Sequence, residues 1–378
     1  MKKSKLSFQT KSAPKSAQCP ICFEKIESYT NYRCRNEFDR CEEEHDHKLS
    51  SFFGLPPQTP FGRVFTYSLS SDKFDQNLVQ CESCDSPADL ICSECHSTLP
   101  VPFPLNNPKN IIVFGPKNVG KSTYLASLFQ QLGMDSMDHF GCTFESHDEA
   151  TDAISQEAYM RPIFGQRTVL PTTRNIHRNP TLHQPMIFRW KTPASEEKNI
   201  KNKTDLSLSF FDMSGEDFET RHFEKYHKKF QYADGFLFFV NTESLLEGGY
   251  QNTFNLEAHA FLNIYKNLPK KPPVAIILPK LDEFVGKLPR KSIFFRNSLD
   301  QGVYDLEDGE SLSYELQGYL SSWLGSNATS LLRDQIQEHR FFALSSLGCP
   351  PNGKNIDILS PHRVMDPLAW LKHLWQRD

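Results

Sequence analysis

The sequence has no long apolar run. Its longest candidate, Gly235 to Val240, has the length of a buried strand and falls far short of the ~18 residues that cross a membrane. Charge of one sign is also missing. There are 42 Lys and Arg against 46 Asp and Glu, a formal net charge of −4, which withholds the electrostatic footprint of a nonspecific nucleic-acid binder. No apolar stretch follows the basic start Met1-Lys-Lys-Ser-Lys, so this reads as a solvated tail rather than a signal peptide. No repeat recurs at solenoid periods. Cysteine is nearly absent from most of the chain: of ten, only Cys142 and Cys349 lie beyond Cys95. These absences predict a cytoplasmic protein with no membrane partner. What is present suits a soluble globular chain. Its 378 residues are 38% hydrophobic and 23% charged, enough for one large domain and a smaller one.

One stretch organises the rest. Gly115 to Ser122 reads Gly-x-x-x-x-Gly-Lys-Ser, the phosphate-binding P-loop pattern. Glycines at 115 and 120 let the backbone turn so that successive N–H groups of Gly115, Pro116, Lys117, Asn118, Val119, Gly120, Lys121, Ser122 and Thr123 surround a phosphate, proline excepted. Lys121 supplies positive charge, and the Ser122 hydroxyl is a ligand for Mg²⁺. The flanks agree. Ile111 to Phe114 is a short β-branched and aromatic run. Leu125, Leu128, Phe129 and Leu132 form a helical stripe from Thr123, with Gly133 as its expected stop. The helix N-terminus then faces the anion.

The eight early cysteines include three C-x-x-C pairs: Cys19/Cys22, Cys81/Cys84 and Cys92/Cys95. Such pairs place two thiolates on one side of a tetrahedral Zn²⁺. With Cys34 and Cys41 as a looser fourth pair, they suffice for two Cys₄ sites. Connectivity stays open. The last four cysteines make a compact unit, and crossed or nested pairings also work, the nested one joining Cys19/Cys22 to Cys92/Cys95. His45, His47 or His96 can replace a thiol. The acidic run after Cys41 reads as solvated surface. Leu49 to Val79 reads as a strand pair or an interaction loop. The expected layout is a disordered tail at 1–17, a zinc-binding module at 18–98, a Pro-rich linker at 99–107, and a nucleotide domain at 108–378.

Further stations follow the P-loop in order. Residues 133 to 166 read as polar and partly helical. Thr172 and Thr173 are candidates for a threonine that closes over Mg²⁺ and the γ-phosphate. Leu206 to Asp212 is a strand ending in Asp212-x-x-Gly215: Asp212 would hold Mg²⁺ through water, and the Gly215 N–H would sense the γ-phosphate. Phe218 to Gln231 reads as a helix. Strands at Ala233–Val240 and Pro273–Leu278, separated by helical Leu256–Asn267, argue for a mostly parallel sheet covered on both faces. Lys280 and Asp282 then match a guanine-reading loop. The carboxylate accepts from two N–H donors that adenine cannot offer, and the Lys stem covers the base. Pro279 stands where Asn or Thr is usual. Ser345 and Ser346 fall where a backbone N–H would meet the base oxygen. A long helical region, Ser311 to His339, reads as broken near Gly325.

The ordered set resembles a GTPase of the Ras-like TRAFAC class. The cysteine-rich start, the Leu-Pro-Thr-Thr segment and Arg363-Val-Met-Asp-Pro-Leu-Ala-Trp-Leu resemble more closely the double-GTPase family of predicted bacterial conflict systems. That resemblance implies a three-layer α/β/α P-loop GTPase sandwich preceded by a small zinc-binding module. It also implies GTP with Mg²⁺, structural Zn²⁺, and signalling to protein partners, either a second GTPase or an effector, in antiviral defence. Two positions depart from relatives. Glu216 replaces a water-orienting Gln, and Lys117 replaces a Gly. Both predict slow turnover without a partner. Arg167 and Arg174 are candidate cis fingers, and Asn118 is a candidate monovalent-cation contact. Two other readings follow from the residues: a GTP-bound scaffold that hardly hydrolyses, and a zinc-ribbon nucleic-acid adaptor with an accessory NTPase.

Overall fold

The computed structural model describes residues 17–27, 29–37, 39–67, 79–171, 184–191, 205–216, 227–242, 251–284, 286, 288–289, 291–296, 305–324 and 326–377. They fall into two compact units, 1–105 and 106–378.

The first unit is built from short strands. These are β1 (Ala17–Gln18), β2 (Lys25–Ile26), β3 (Asn31–Cys34), β4 (Glu43–His45), β5 (Pro60–Gly62), β6 (Val64–Thr66) and β7 (Ala88–Leu90), with one helix, α1 (His47–Phe53). β3 is the centre of a three-stranded antiparallel sheet, β6-β3-β7. The core is small. Tyr32, Leu90, Leu99 and Phe103 are buried together with Cys19, Cys22, Cys92 and Cys95. The acidic run is only partly surface. Asp46 is buried, caps α1 by accepting from the Leu49 N–H at 3.0 Å, and binds the Arg33 guanidinium at 2.6 Å. A side chain that joins a helix start to a neighbouring strand does not stay solvated.

The second unit holds a seven-stranded sheet in the order β14-β13-β12-β8-β11-β10-β9. Its strands are β8 (Pro108–Phe114), β9 (Thr143–Ser146), β10 (Met186–Lys191), β11 (Leu206–Asp212), β12 (Gly235–Phe239), β13 (Val274–Leu278) and β14 (His339–Ala343). Five are parallel; at one edge β10 pairs antiparallel with both β11 and β9. Alternation explains the three layers. Ile111, Val113, Leu237 and Phe239 face a core shared with α2 (Lys121–Phe140) and the closing helix α9 (Asp366–Trp375). On the other face Phe114, Phe236 and Phe238 join Phe230 from α4 (His227–Gln231) and Phe261 from α5 (Gln251–Lys266). Phe114 and Phe238 stack at 5.0 Å across β8 and β12.

Three expectations need correction. The P-loop helix does not stop at Gly133 but runs to Phe140 and ends at left-handed Gly141. The glycine costs about 1 kcal/mol inside a helix, and packing of Leu132 and Phe140 on either side of it outweighs that. The polar stretch after it contains the edge strand β9. It also contains α3 (Glu149–Ile154), which widens into a π-helix over Ser155–Gly165. The helical region near the end starts earlier than expected, as α7 (Leu306–Leu324) and α8 (Ser326–Gln335). A short α6 (Leu281–Phe284) follows β13. Of the helix expected from Phe218, residues 217–226 lie outside the described residues.

Candidate functional site

The site lies at the carboxyl end of β8, where strand order reverses: the chain leaves through α2 to the far edge and returns beside β8 as β11. A crevice at this position is the usual ligand site of such sheets. Gly115 has φ +144° and passes so close to β12 that a Cβ would sit 2.4 Å from the Phe239 carbonyl oxygen. Asn118 (φ +60°) and Gly120 (φ +92°) complete the left-handed turns that direct the loop into α2. Lys121 is buried, and its Nζ donates to the Gly115 and Pro116 carbonyls at 2.9 and 2.7 Å, so the ammonium spans the loop.

Asp212 arrives from β11, whose register pairs it with Val113. Ser122 Oγ donates to Asp212 Oδ2 at 2.7 Å, and the Tyr159 hydroxyl donates to the same oxygen at 3.0 Å. Oδ1 is buried with no hydrogen-bond partner among the described residues. Burial raises the Asp212 pKa above the usual carboxylate range, against the opposing pull of Lys121, Ser122 and Tyr159. A buried, half-satisfied carboxylate beside a hydroxyl offers the hard oxygen ligands that Mg²⁺ takes, so these residues fit that ion.

Gly215 packs onto the P-loop. A Cβ on it would lie 2.5 Å from the Lys117 amide nitrogen. Lys117 Nζ and Glu216 Oε1 form an ion pair at 3.1 Å across the mouth. Lys117, Asn118, Gly120, Lys121, Ser122 and Thr123 line a pocket of ≈ 180 Å³ with Leu170, Pro171, Ser214, Gly215 and Glu216. Val119 is buried and holds the loop to the core.

Of the expected base-reading residues, Asp282 and Ser345 meet. The Ser345 hydroxyl donates to Asp282 Oδ1, and the Leu281 N–H donates to the Leu344 carbonyl at 2.9 Å. The Ser346 carbonyl is held by Ser127 of α2 at 2.7 Å. Lys280 sits at φ +58° with its Nζ 3.9 Å from Glu283. These residues are not among those lining the phosphate-end pocket. Thr172, Thr173 and Arg174 lie outside the described residues. Arg167 is exposed, and its carbonyl accepts from the Ile356 N–H.

The cysteines of the first unit gather in the nested arrangement: Cys19, Cys22, Cys92 and Cys95 in one cluster, Cys34, Cys41, Cys81 and Cys84 in the other. Sulfur–sulfur distances are 4.0 Å for Cys19–Cys95, 3.8 Å for Cys22–Cys92, 3.4 Å for Cys34–Cys84 and 3.8 Å for Cys41–Cys81. None is a disulfide. A tetrahedral zinc with Zn–S near 2.3 Å has sulfur–sulfur edges of about 3.8 Å. Backbone N–H groups of Ile21, Asn36 and Glu94 point at Cys19, Cys34 and Cys92 sulfurs at 3.4, 3.2 and 3.3 Å, as the turn of a thiolate knuckle requires. Burial pushes the Cys19 thiol up, while hydrogen bonds from Cys19 and Cys22 pull Cys92 down. Each set of four could hold a metal ion, and its sulfur–sulfur distances fit Zn²⁺. Among the described residues no histidine joins either cluster. Instead His96 Nδ1 lies 2.9 Å from Asp46.

Sequence reasoning missed Tyr159, Leu170, Pro171 and Ser214. Only the fold brings Tyr159 to Asp212. Pro171 and Ser214 were legible as neighbours of singled-out motifs.

A family model described as Double-GTPase 2 matches residues 109–311, more than half of the chain. The chain is 23% identical over 396 residues to the "Putative ESX-1 scaffolding and assembly protein SaeC" of Mycolicibacterium smegmatis, covering 94% of this chain and 98% of that one. Solved structures similar to it include the mammalian SRP receptor (13% identity, 71% of this chain and 100% of that one, TM-score 0.33). They also include Aquifex aeolicus Era bound to GDP.AlF4- (14%, 70% and 56%, 0.31). A third is the S. cerevisiae Ski7 GTPase-like domain bound to GTP (14%, 71% and 50%, 0.30). Among the described residues no helix is long and apolar enough to cross a membrane.

Proposed function

The chain belongs to the Double-GTPase 2 family, and we propose that it is a Mg²⁺-dependent GTP-binding switch that hydrolyses GTP slowly and signals to protein partners. The observation that carries this reading is buried Lys121 beside the half-buried Ser122–Asp212 pair, with Gly215 seated on the P-loop backbone. Ser122 and Asp212 would hold Mg²⁺, which supplies charge neutralisation to the phosphates. Lys121 and the loop N–H groups bind the same phosphates, and Gly215 reports whether the terminal one is present. Asp282, held by Ser345, selects guanine. Slow hydrolysis follows from Glu216. It stands where a neutral water-orienting group serves other GTPases, and its carboxylate is tied to Lys117. Hydrolysis by the isolated protein is expected well below roughly 1 s⁻¹, the regime of switch GTPases without their activators. Single-turnover phosphate release checks it; fast release by the lone chain overturns it. The resemblance to a conflict-system branch supports partner proteins in a defence setting, which co-purification from GTP- and GDP-loaded protein tests.

A second reading is a GTP-loaded scaffold for assembling a larger complex. The near-full-length likeness to a protein named for scaffolding and assembly favours it. Bound nucleotide after purification with no phosphate released over hours would select this reading over the switch.

A further inference from the structure

Tyr159 has no place in the P-loop pattern, yet its hydroxyl is one of two donors to the Asp212 carboxylate among the described residues. It reaches that position from a π-helix, Ser155–Gly165, that contains Pro162. Runs of i→i+5 bonding are rare and concentrate at functional sites. The ring is buried, edge-on to Phe129 at 6.3 Å, so the hydroxyl has a fixed direction. A carboxylate can only accept, so Tyr159 donates. Both donors use Oδ2, which sets the carboxylate plane and leaves Oδ1 as the buried, unpartnered oxygen. The same π-helix runs directly into the pocket wall. The Thr168 N–H donates to the Pro162 carbonyl at 2.9 Å, and Leu170 and Pro171, two and three residues later, line the pocket.

We propose that Tyr159 is a positioning residue for the metal site, fixing the Asp212 carboxylate so that its free oxygen stays available to a divalent cation. The inference rests on the Mg²⁺–guanine-nucleotide reading of the pocket. Partners of ligating carboxylates typically contribute 10–100-fold to metal affinity because they remove rotational freedom from the ligand. Ser122 alone leaves the carboxylate free to turn about its own bond.

The test uses the full chain and a fluorescent GDP analogue, with its retention measured across a Mg²⁺ titration and again in EDTA. Tyr159→Phe removes one oxygen and keeps the ring packing. The Mg²⁺ concentration for half-maximal retention is expected to rise about 10-fold, while affinity in EDTA stays at the wild-type value. Tyr159→p-aminophenylalanine, which keeps a donor in the same place, is expected to restore the wild-type titration. An unchanged Mg²⁺ midpoint in Tyr159→Phe overturns the inference. So does a loss of equal size in Mg²⁺ and in EDTA, since that marks a general packing role. A wild-type chain that binds no guanine nucleotide overturns the nucleotide reading itself. A wild-type chain with Mg²⁺-dependent binding and an indifferent Tyr159→Phe overturns this inference alone.

Discussion

In residues 17–105 the polar ligands are the core: Cys19, Cys22, Cys92 and Cys95 are buried among Tyr32, Leu90 and Phe103. In residues 106–377 the ligands sit at the rim of a core that is complete without them. There, aromatic rings from β8, β12 and α5 pack one sheet face, and α2 with α9 packs the other. The first unit is too small to bury much apolar surface, and its two four-cysteine clusters could hold metal ions whose binding would add to its folding free energy. The second has the area to fold unaided and can keep strained and half-satisfied groups at its mouth. Asn118 in a left-handed conformation and Asp212 Oδ1, without a hydrogen-bond partner among the described residues, are such groups. On the proposed function, a ligand inside the core would decide whether a unit exists, and a ligand at the rim which state it is in.

That contrast can be broken at several points. The largest effect should come from removing metal. Structural zinc in small domains contributes roughly 10–16 kcal/mol of folding free energy, so chelation, or Cys19→Ser with Cys92→Ser, should unfold residues 17–105. Protease digestion and metal analysis check this, with two zinc ions expected per chain. A first unit that stays protected without zinc breaks the comparison. Next is Lys121→Ala. Truncating a buried, charge-paired group typically costs about 2–5 kcal/mol of binding, so GTP affinity should fall at least about 30-fold. The second unit should stay folded by circular dichroism, and its unfolding would show that the rim site carries the fold after all. The smallest effect lies back in the first unit. Asp46→Ala removes an N-cap and leaves Arg33 and His96 facing a gap, for a cost of about 2 kcal/mol in the zinc-loaded protein. Denaturant unfolding measures it. A cost near zero would mean that the zinc clusters alone hold this unit.

The sequence made the nucleotide site legible because its parts are local. A P-loop, an Asp-x-x-Gly and a Lys-x-Asp each carry their geometry in their own spacing, and the strands between them are dense apolar runs. It left the zinc connectivity open because the pairing depends on contacts between distant segments. β3 pairs with β7, which brings Cys34 beside the Cys81/Cys84 turn, and nothing in the C-x-x-C spacing encodes that register. The same holds for Tyr159, one tyrosine in a polar stretch until the π-helix places it on Asp212. Gly133 misled because its helix cost is local while the packing that offsets it is tertiary. Asp46 misled because its neighbours Glu43 and Glu44 are solvated and it is not.

The central claim is that the rim pocket of the second unit takes guanine nucleotide together with Mg²⁺. The most direct measurement is equilibrium binding of fluorescent GTP and ATP analogues to the full chain, with Mg²⁺ and with EDTA, in the wild type and in Asp282→Ala. The account predicts GTP binding that tightens with Mg²⁺ and resists competition by excess ATP. It also predicts that Asp282→Ala loses about 10- to 100-fold of that preference, the value of a good bidentate contact to a base. Equal displacement by ATP, or binding indifferent to both Mg²⁺ and Asp282, would contradict it.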